Sequence, residues 1–181
     1  SEFVQLSNVT NHLTHKPGST IEVDWSGPTM SILTSDGERI KVYLFVATLP
    51  YSQYSFVKPC LDMKQDTWLK CHIDMFEFFG GVPIKIVCDN LKTGVIKHPK
   101  EGEIILNETY ESLAQHYMVA IMPAQVRKPK QKASVEGTVG KIASSIIAKL
   151  RNKRFISLLH VEEEVLKALK EFNDTPFQKR E

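Results

Sequence analysis

The sequence predicts an α/β protein, a mixed β-sheet with helices on both faces. Three observations predict it. Ile21, Val23 and Trp25 alternate with Glu22, Asp24 and Ser26, the two-residue period of a half-buried strand. Ile40 to Leu49 is almost continuously apolar and rich in β-branched and aromatic residues, as in a strand buried on both faces. Beyond residue 65, apolar stripes at helical spacing alternate with short apolar runs at 84–87 and 118–122. The resulting order, βββ-α-β-α-β-α-α, is that of a layered α/β fold.

Each element has its own signal. Residues 1–19 are polar with a Pro17-Gly18 turn and read as an arm or linker. Strand 1 begins near Thr20, is kinked at Gly27-Pro28 and continues through 29–34. Asp36-Gly37 is a hairpin signal, because glycine enters positive φ without steric cost. Strand 2 follows to Leu49 and ends at Pro50. Tyr54 and Phe56 belong to strand 3, which closes an antiparallel meander. Trp68, Leu69, His72, Ile73, Met75, Phe76 and Phe79 form a helical stripe, with Asp66 as candidate N-cap and Gly80-Gly81 as stop. This stripe reads as core. Ile84, Ile86 and Val87 form a buried strand ending in Asp89. Residues 92–106 carry Gly94, Pro99 and Gly102 and read as a loop. A short helix spans 108–116, a strand 118–122, and a basic loop 124–133. Ser134 opens a helix to about Asn152, and an amphipathic helix follows over 159–172.

Composition narrows the function classes. At 181 residues, 42% hydrophobic and 24% charged, the chain has the make-up of one globular domain with a real core. A net charge of +2 argues for no partner. Its distribution says more. Arg127, Lys128, Lys130 and Lys132 crowd one segment, and Lys149, Arg151, Lys153 and Arg154 another. A solvated surface explains one such cluster, but two flanking Glu136 weaken that explanation. The three cysteines, Cys60, Cys71 and Cys88, have no paired spacing. They read as buried thiols in a reducing compartment, and the absence of C-x-x-C argues against structural zinc. No apolar run reaches the length of a membrane span. The opening Ser-Glu-Phe reads as a cloning scar, and the chain as a fragment of something longer.

Three acids carry the chemistry. A carboxylate at the end of an apolar run must find a proton, a cation or a metal. Asp24 lies inside a strand, where aspartate is disfavoured unless a site needs it. Asp89 ends a buried strand, and ligand sites in open α/β sheets collect at the carboxyl ends of strands. Glu136 stands in the first turn of its expected helix. Each has a structural alternative: a salt-bridged surface aspartate, a turn residue in Asp-Asn, and an acid complementing the helix dipole. Together, three carboxylates can hold two hard cations through oxygen. Such a pair of ions serves in-line phosphoryl displacement. The residues therefore point to a metal-dependent enzyme acting on DNA, with Lys128, Lys130 and Lys132 as phosphate contacts. On the helix, Glu136, Gly140 and Ala143 share a face of small residues. It fits close approach of DNA or, alternatively, packing on the sheet.

Five longer motifs extend the pattern: Val-Asp-Trp (23–25), Phe-Phe-Gly-Gly-Val-Pro (78–83), Asp-Asn-Leu-Lys-Thr (89–93), Lys-Pro-Lys-Gln-Lys-Ala-Ser-Val-Glu-Gly (128–137) and Leu-Arg-Asn-Lys-Arg-Phe-Ile-Ser-Leu (150–158). Asn-Asp-Thr-Pro-Phe (173–177) follows them. In these motifs, from about Glu22 to Phe177, the chain resembles the DDE transposase and retroviral integrase superfamily. Its likeness is greatest to the catalytic core of IstA-type insertion-sequence transposases. The resemblance implies a ribonuclease-H-like core with a five-stranded sheet in the order 3-2-1-4-5, strands 4 and 5 parallel to strand 1. It implies a core over 20–158, with 159–181 as a C-terminal helix and the start of a linker.

The resemblance further implies that Asp24, Asp89 and Glu136 form the catalytic triad and bind two Mg²⁺, for which Mn²⁺ can substitute. The implied activity is cleavage at element ends and strand transfer into target DNA. The implied partners are both DNAs, an AAA+ ATPase helper and further copies of the chain on DNA. The implied setting is the bacterial cytoplasm, at the nucleoid, with no membrane. Two features depart from retroviral integrases. Asp89 and Glu136 are 47 positions apart, a longer spacing, with the extra length expected in 92–106. A DNA-contacting lysine two turns after the glutamate is replaced by Ala143, leaving that role to Lys132 or Lys141. The rival readings are a ribonuclease H or resolvase-type nuclease on the same fold, and a non-catalytic DNA-binding or assembly module.

Overall fold

The computed structural model describes residues 19–88, 95–97, 105–123 and 129–175, with the side chains of 19–88, 107–122 and 139–175. The 1–18 arm, Asp89 and residues 124–128 lie outside the described residues.

Strand β1 (Thr20–Trp25) sits at the centre of the sheet. It pairs antiparallel with β3 (Arg39–Thr48) and parallel with β5 (Lys85–Cys88). Strand β4 (Ser55–Cys60) pairs antiparallel with β3 on its far side, and β8 (Ala120–Pro123) pairs parallel with β5. The order β4-β3-β1-β5-β8 is the expected 3-2-1-4-5. Pro59 lies in β4, an edge strand, where a missing N–H costs no ladder bond.

Strand β2 (Met30–Leu33) shares the β1 edge of β3. β1 pairs with residues 45–48 of β3, and β2 with residues 39–42. The kinked continuation expected across Gly27-Pro28 is what forms. The Ser26 amide still reaches Leu44 O at 2.8 Å, and Ser26 Oγ donates to Pro28 O at 2.9 Å. The hairpin to β3 closes through Thr34 N–Glu38 O (2.9 Å) and Gly37 N–Thr34 O (3.0 Å), with Gly37 at φ 83°. Asp36 is exposed on its tip.

Helix α1 (Gln65–Phe79) follows β4 and stops at Gly80, which takes φ 73°. Its N-cap is Lys64, not Asp66. Asp62 makes the capping turn instead, accepting from Lys64 N at 2.9 Å, and Asp66 lies in the first helical turn, where its charge complements the dipole. Helix α2 (Glu108–Tyr117) is capped by Asn107, whose side chain accepts from Thr109 N. Helix α3 runs over Pro129–Leu150 and α4 over Leu158–Asp174. No described helix is long and apolar enough to cross a membrane.

Two expectations are corrected. The 92–106 segment is not simply a loop, since β6 (Val95–Lys97) pairs antiparallel with β7 (Ile105–Leu106). Val95, Ile96 and Ile105 are β-branched, the residue type that favours such a short antiparallel ladder. The basic loop is also shorter than expected. α3 begins at Pro129, whose fixed φ suits a first helical position, and Lys130 to Ala133 are all good helix formers. Glu136 is therefore two turns into the helix, where the macrodipole has faded, and the dipole account of it fails.

Alternation along the strands builds two cores. Ile21, Val23, Trp25, Phe45, Ile86 and Cys88 join α1 and α2 on one face of the sheet. Met30, Ile32, Val42, Leu44 and Val46 join Val139, Ile142 and Ile146 of α3 and Val161, Val165 and Leu169 of α4 on the other. α4 is locked to the sheet edge by Asn173, whose amide accepts from Ser55 N (2.9 Å) and donates to Ser55 O (2.8 Å). All three cysteines are buried thiols, as expected.

Candidate active site

Trp25 fixes the strand that carries Asp24. Its ring is buried at 5.9 Å from Phe45, edge to face, and at 5.8 Å from Trp68. Truncating such a side chain costs about 3–5 kcal/mol, so the register of β1 is strongly set. With Trp25 inside the first core, Asp24 faces the other side. It is half-buried, and its cross-strand partner is Val46. Val46 packs in the second core with α3, so Asp24 lies on the α3 side of the sheet.

The central parallel pair ends at Val23 opposite Cys88. The next residue of each strand is an acid, Asp24 on β1 and Asp89 after β5. Asp89 itself, and the side chain of Glu136, lie outside the described residues. The helix backbone does carry Glu136, seven positions and about two turns before Ala143, so the two Cα atoms share a face. Ala143 is fully buried. The small-residue stripe is therefore turned to the protein at this point, the sheet-packing alternative. One turn closer to Glu136, Gly140 is only half-buried, and a Cβ there would meet nothing within 4 Å.

The basic residues divide. Lys128 lies outside the described residues, as do the side chains of Lys130 and Lys132. By helical period, Lys132 falls on the Glu136 stripe. Lys130, eleven positions before Lys141, falls on the face where Lys141 is exposed. In the second cluster, Lys149 is paired with Glu171 at 2.6 Å and Lys153 with Glu164. These lysine partners hold both glutamates below the usual carboxylate range. The second cluster is thus partly neutralised within the chain, while Arg151 and Arg154 are exposed.

Beneath the strand ends lies a buried polar chain that sequence reasoning missed. His72 Nδ1 is 2.8 Å from Trp68 O, and Nε2 is 2.8 Å from Tyr110 Oη. Both side chains are fully buried. Burial pushes the imidazole down to about 4. Burial, and the Cys88 thiol hydrogen-bonded to it, push the Tyr110 hydroxyl well up. His72 was legible only as a polar interruption of the α1 stripe. Nothing in the sequence ties it to Tyr110, 38 positions later.

The strand order, with helices over both faces, defines a ribonuclease-H-like core. The chain belongs to the integrase core domain family, whose model matches residues 14–129, more than half of its length. Asp24 and Asp89 lie inside that match and Glu136 just beyond it. A Mycobacterium tuberculosis protein assigned as a transposase is 37% identical over 146 residues, 81% of this chain and 35% of its own. One assigned as the transposase for insertion sequence IS408 of Burkholderia multivorans is 34% identical over 168 residues, 92% of this chain and 32% of its own. The transposase for insertion sequence element IS21 of Pseudomonas aeruginosa is 25% identical over 173 residues, 91% of this chain and 43% of its own. The chain thus spans about a third of the length of the first two relatives. The fold matches the HTLV-2 integrase catalytic core domain in complex with magnesium, with TM-score 0.56 and 16% identity over 87% of this chain and 88% of that one. These findings bear out the DDE transposase and integrase resemblance, and the IS21 relative fits its IstA-type form.

Proposed function

We propose that the chain is the catalytic core of a DDE-type DNA transposase that cleaves element ends and joins their 3′-hydroxyls to target DNA. The observation that carries this reading is the Val23–Cys88 pair, the last of the parallel pairing between the two central strands, which is followed in each chain direction by an acid, Asp24 and Asp89. Asp24 on the α3 side, with Glu136 on α3, supports a three-carboxylate site. That all-oxygen donor set fits Mg²⁺, with Mn²⁺ able to substitute. Two such ions, when bound, help deprotonate the attacking oxygen and offset charge on the leaving oxygen.

The chain's own work is positioning. Trp25 holds Asp24 against movement along the strand. Lys128, Lys130, Lys132 and Lys141 hold DNA phosphates by charge, which sets register without reading sequence. In the first step water displaces a phosphodiester oxygen and frees a 3′-hydroxyl. In the second that hydroxyl displaces another, so one phosphodiester forms as one breaks. The catalytic core proposed here is residues 20–158, with α4 as a C-terminal helix packed on it. An AAA+ ATPase helper, assembly of several copies on DNA, and residence at the bacterial nucleoid complete the reading, carried over from the resemblance to IstA-type transposases.

The test uses the full-length protein and labelled element-end DNA. With Mg²⁺, nicked ends and joined products are expected, and with EDTA neither. Nicking with no joining under any condition would assign a nuclease instead. Lys130→Ala and Lys132→Ala should weaken DNA binding, each lowering the slope of log K against log salt by about 0.9 per lost phosphate contact. Asp36→Asn is the silent control. Its carboxylate stands exposed on the β2–β3 hairpin, so strand transfer should stay within about twofold of the unmodified protein. A large loss with the fold intact would mean that the wrong acids are assigned.

A further inference from the structure

Two side-chain bridges join the same two elements, β4 and α1. Lys58 and Cys60 are two residues apart on β4, so they leave the same face of the strand. Cys71 and Asp74 are three apart on α1, so they are neighbours on one helix face. The Lys58 ammonium meets the Asp74 carboxylate in an ion pair. Beside it, Cys60 Sγ stands 3.4 Å from Cys71 Sγ. The direction of the thiol protons follows from the outer acceptor. Lys58 O can only accept, so Cys60 S–H donates to it at 3.6 Å, and Cys71 S–H donates to Cys60 Sγ. That contact, and then burial, hold the Cys71 proton well above the usual thiol range. Cys60 ends β4 and the next residue, Leu61, is exposed, so the pair lies at the rim of the first core.

We propose that Cys60 and Cys71 are a reversible disulfide site, closed by hydrogen peroxide and reopened by thiols, that staples β4 to α1. A disulfide holds its sulfurs about 2.05 Å apart, so each sulfur has to swing inward by about 0.7 Å, within reach of side-chain rotation. Cys60 is held opposite Tyr43 in the β3–β4 pairing, and the Lys58–Asp74 ion pair keeps strand and helix face to face at this point. Cys60 reacts first, being 4% exposed where Cys71 is 0% exposed, and Cys71 is the thiol whose proton the other sulfur holds. The Cys60 sulfur attacks one peroxide oxygen, the O–O bond breaks, and the thiol proton leaves with the second oxygen as water. The product is a sulfenic acid. The Cys71 sulfur then attacks the Cys60 sulfur. The S–S bond forms, the S–O bond breaks, and the Cys71 proton leaves with the hydroxide as a second water. Two thiols are oxidised and one peroxide is reduced. In a reducing compartment such a bond is transient, because thiol–disulfide exchange opens it again.

The test treats the reduced 181-residue chain with hydrogen peroxide and then alkylates it in denaturant. The reduced chain takes up an alkyl group at each of Cys60, Cys71 and Cys88. The oxidised chain should take one up at Cys88 alone, and its digest should contain a peptide linked through Cys60 and Cys71 that dithiothreitol separates. Tying residues 11 positions apart should raise the folding equilibrium constant about a hundredfold, read as a higher urea midpoint that dithiothreitol reverses. Cys71→Ala should leave Cys60 as a sulfenic acid that dimedone traps, and Cys60→Ala should leave Cys71 unreacted. If either variant fails to fold, the linked peptide from the unmodified chain decides alone. Full alkylation after peroxide, Cys60 oxidised without a bond to Cys71, or a bond made instead through Cys88 or to a second chain overturns the site.

Discussion

The expected result of Asp89→Asn is loss of both end cleavage and strand transfer in the full-length protein. The amide keeps the size and shape of the carboxylate, so packing beyond Cys88 is preserved. It removes the negative charge that a divalent cation needs, and its nitrogen is no ligand. The expected loss is at least about a thousandfold in rate, about 4 kcal/mol of transition-state stabilisation. Asp24→Asn should match it, because the two acids follow directly on the paired residues Val23 and Cys88. DNA binding should be intact or tighter, since one negative charge near the phosphates is gone. That split separates these variants from Lys130→Ala and Lys132→Ala, whose chemistry recovers in part at lower salt or higher protein concentration. Gel analysis of cleaved and joined products, with binding measured in parallel, decides the matter. A normal strand-transfer rate for Asp89→Asn refutes the assigned mechanism.

What was legible in the sequence was whatever depends on neighbours along the chain. The alternation around Asp24, the apolar run through Phe45 and Val46, the Gly37 turn and the Gly80 stop each state a local preference that the fold keeps. The kink at Gly27-Pro28 was readable because strand period resumes beyond it. The α3 start was misread because four positive charges in 127–132 look like a loop, while Pro129 and the helix formers after it favour a helix. The β6–β7 pairing was hidden because Gly94, Pro99 and Gly102 in the sequence read as loop chemistry. Contacts between distant residues left no trace at all. The Asn173 clamp on Ser55 spans 118 positions. The pairing of Lys149 with Glu171, and of Lys153 with Glu164, depends on how α4 lies beside the end of α3. At the candidate site the acids were visible because their residue types are costly where they stand. The buried His72–Tyr110 pair was not, because histidine and tyrosine in apolar stripes look like core.

Buried His72 makes the fold acid-sensitive in a defined window. His72 has an ordinary value of 6.5, and burial lowers it to about 4 in the folded chain, against a small opposing effect of the Trp68 carbonyl. The unfolded chain therefore binds more protons than the folded one between these values. His72 gives no penalty above pH 6.5, and stability is lost as pH falls from there towards 4. The full loss is about 3 kcal/mol, of which about 2 kcal/mol is felt by pH 5. The ring is fully buried, so solvent screening does not reduce the figure. The exposed carboxylates held low by their partners, Asp62, Glu164 and Glu171, begin to lose their contributions only as pH falls through the usual carboxylate range, below about pH 5. Urea unfolding near pH 7 and near pH 5 measures the loss. His72→Gln should be less stable near pH 7, because the buried Tyr110 hydroxyl loses the ring nitrogen it pairs with at 2.8 Å. Its stability should change little down to pH 5, so the gap between the two proteins narrows by about 2 kcal/mol. If the variant keeps the full pH slope, the proton is taken up elsewhere and His72 is not the group that folding holds neutral.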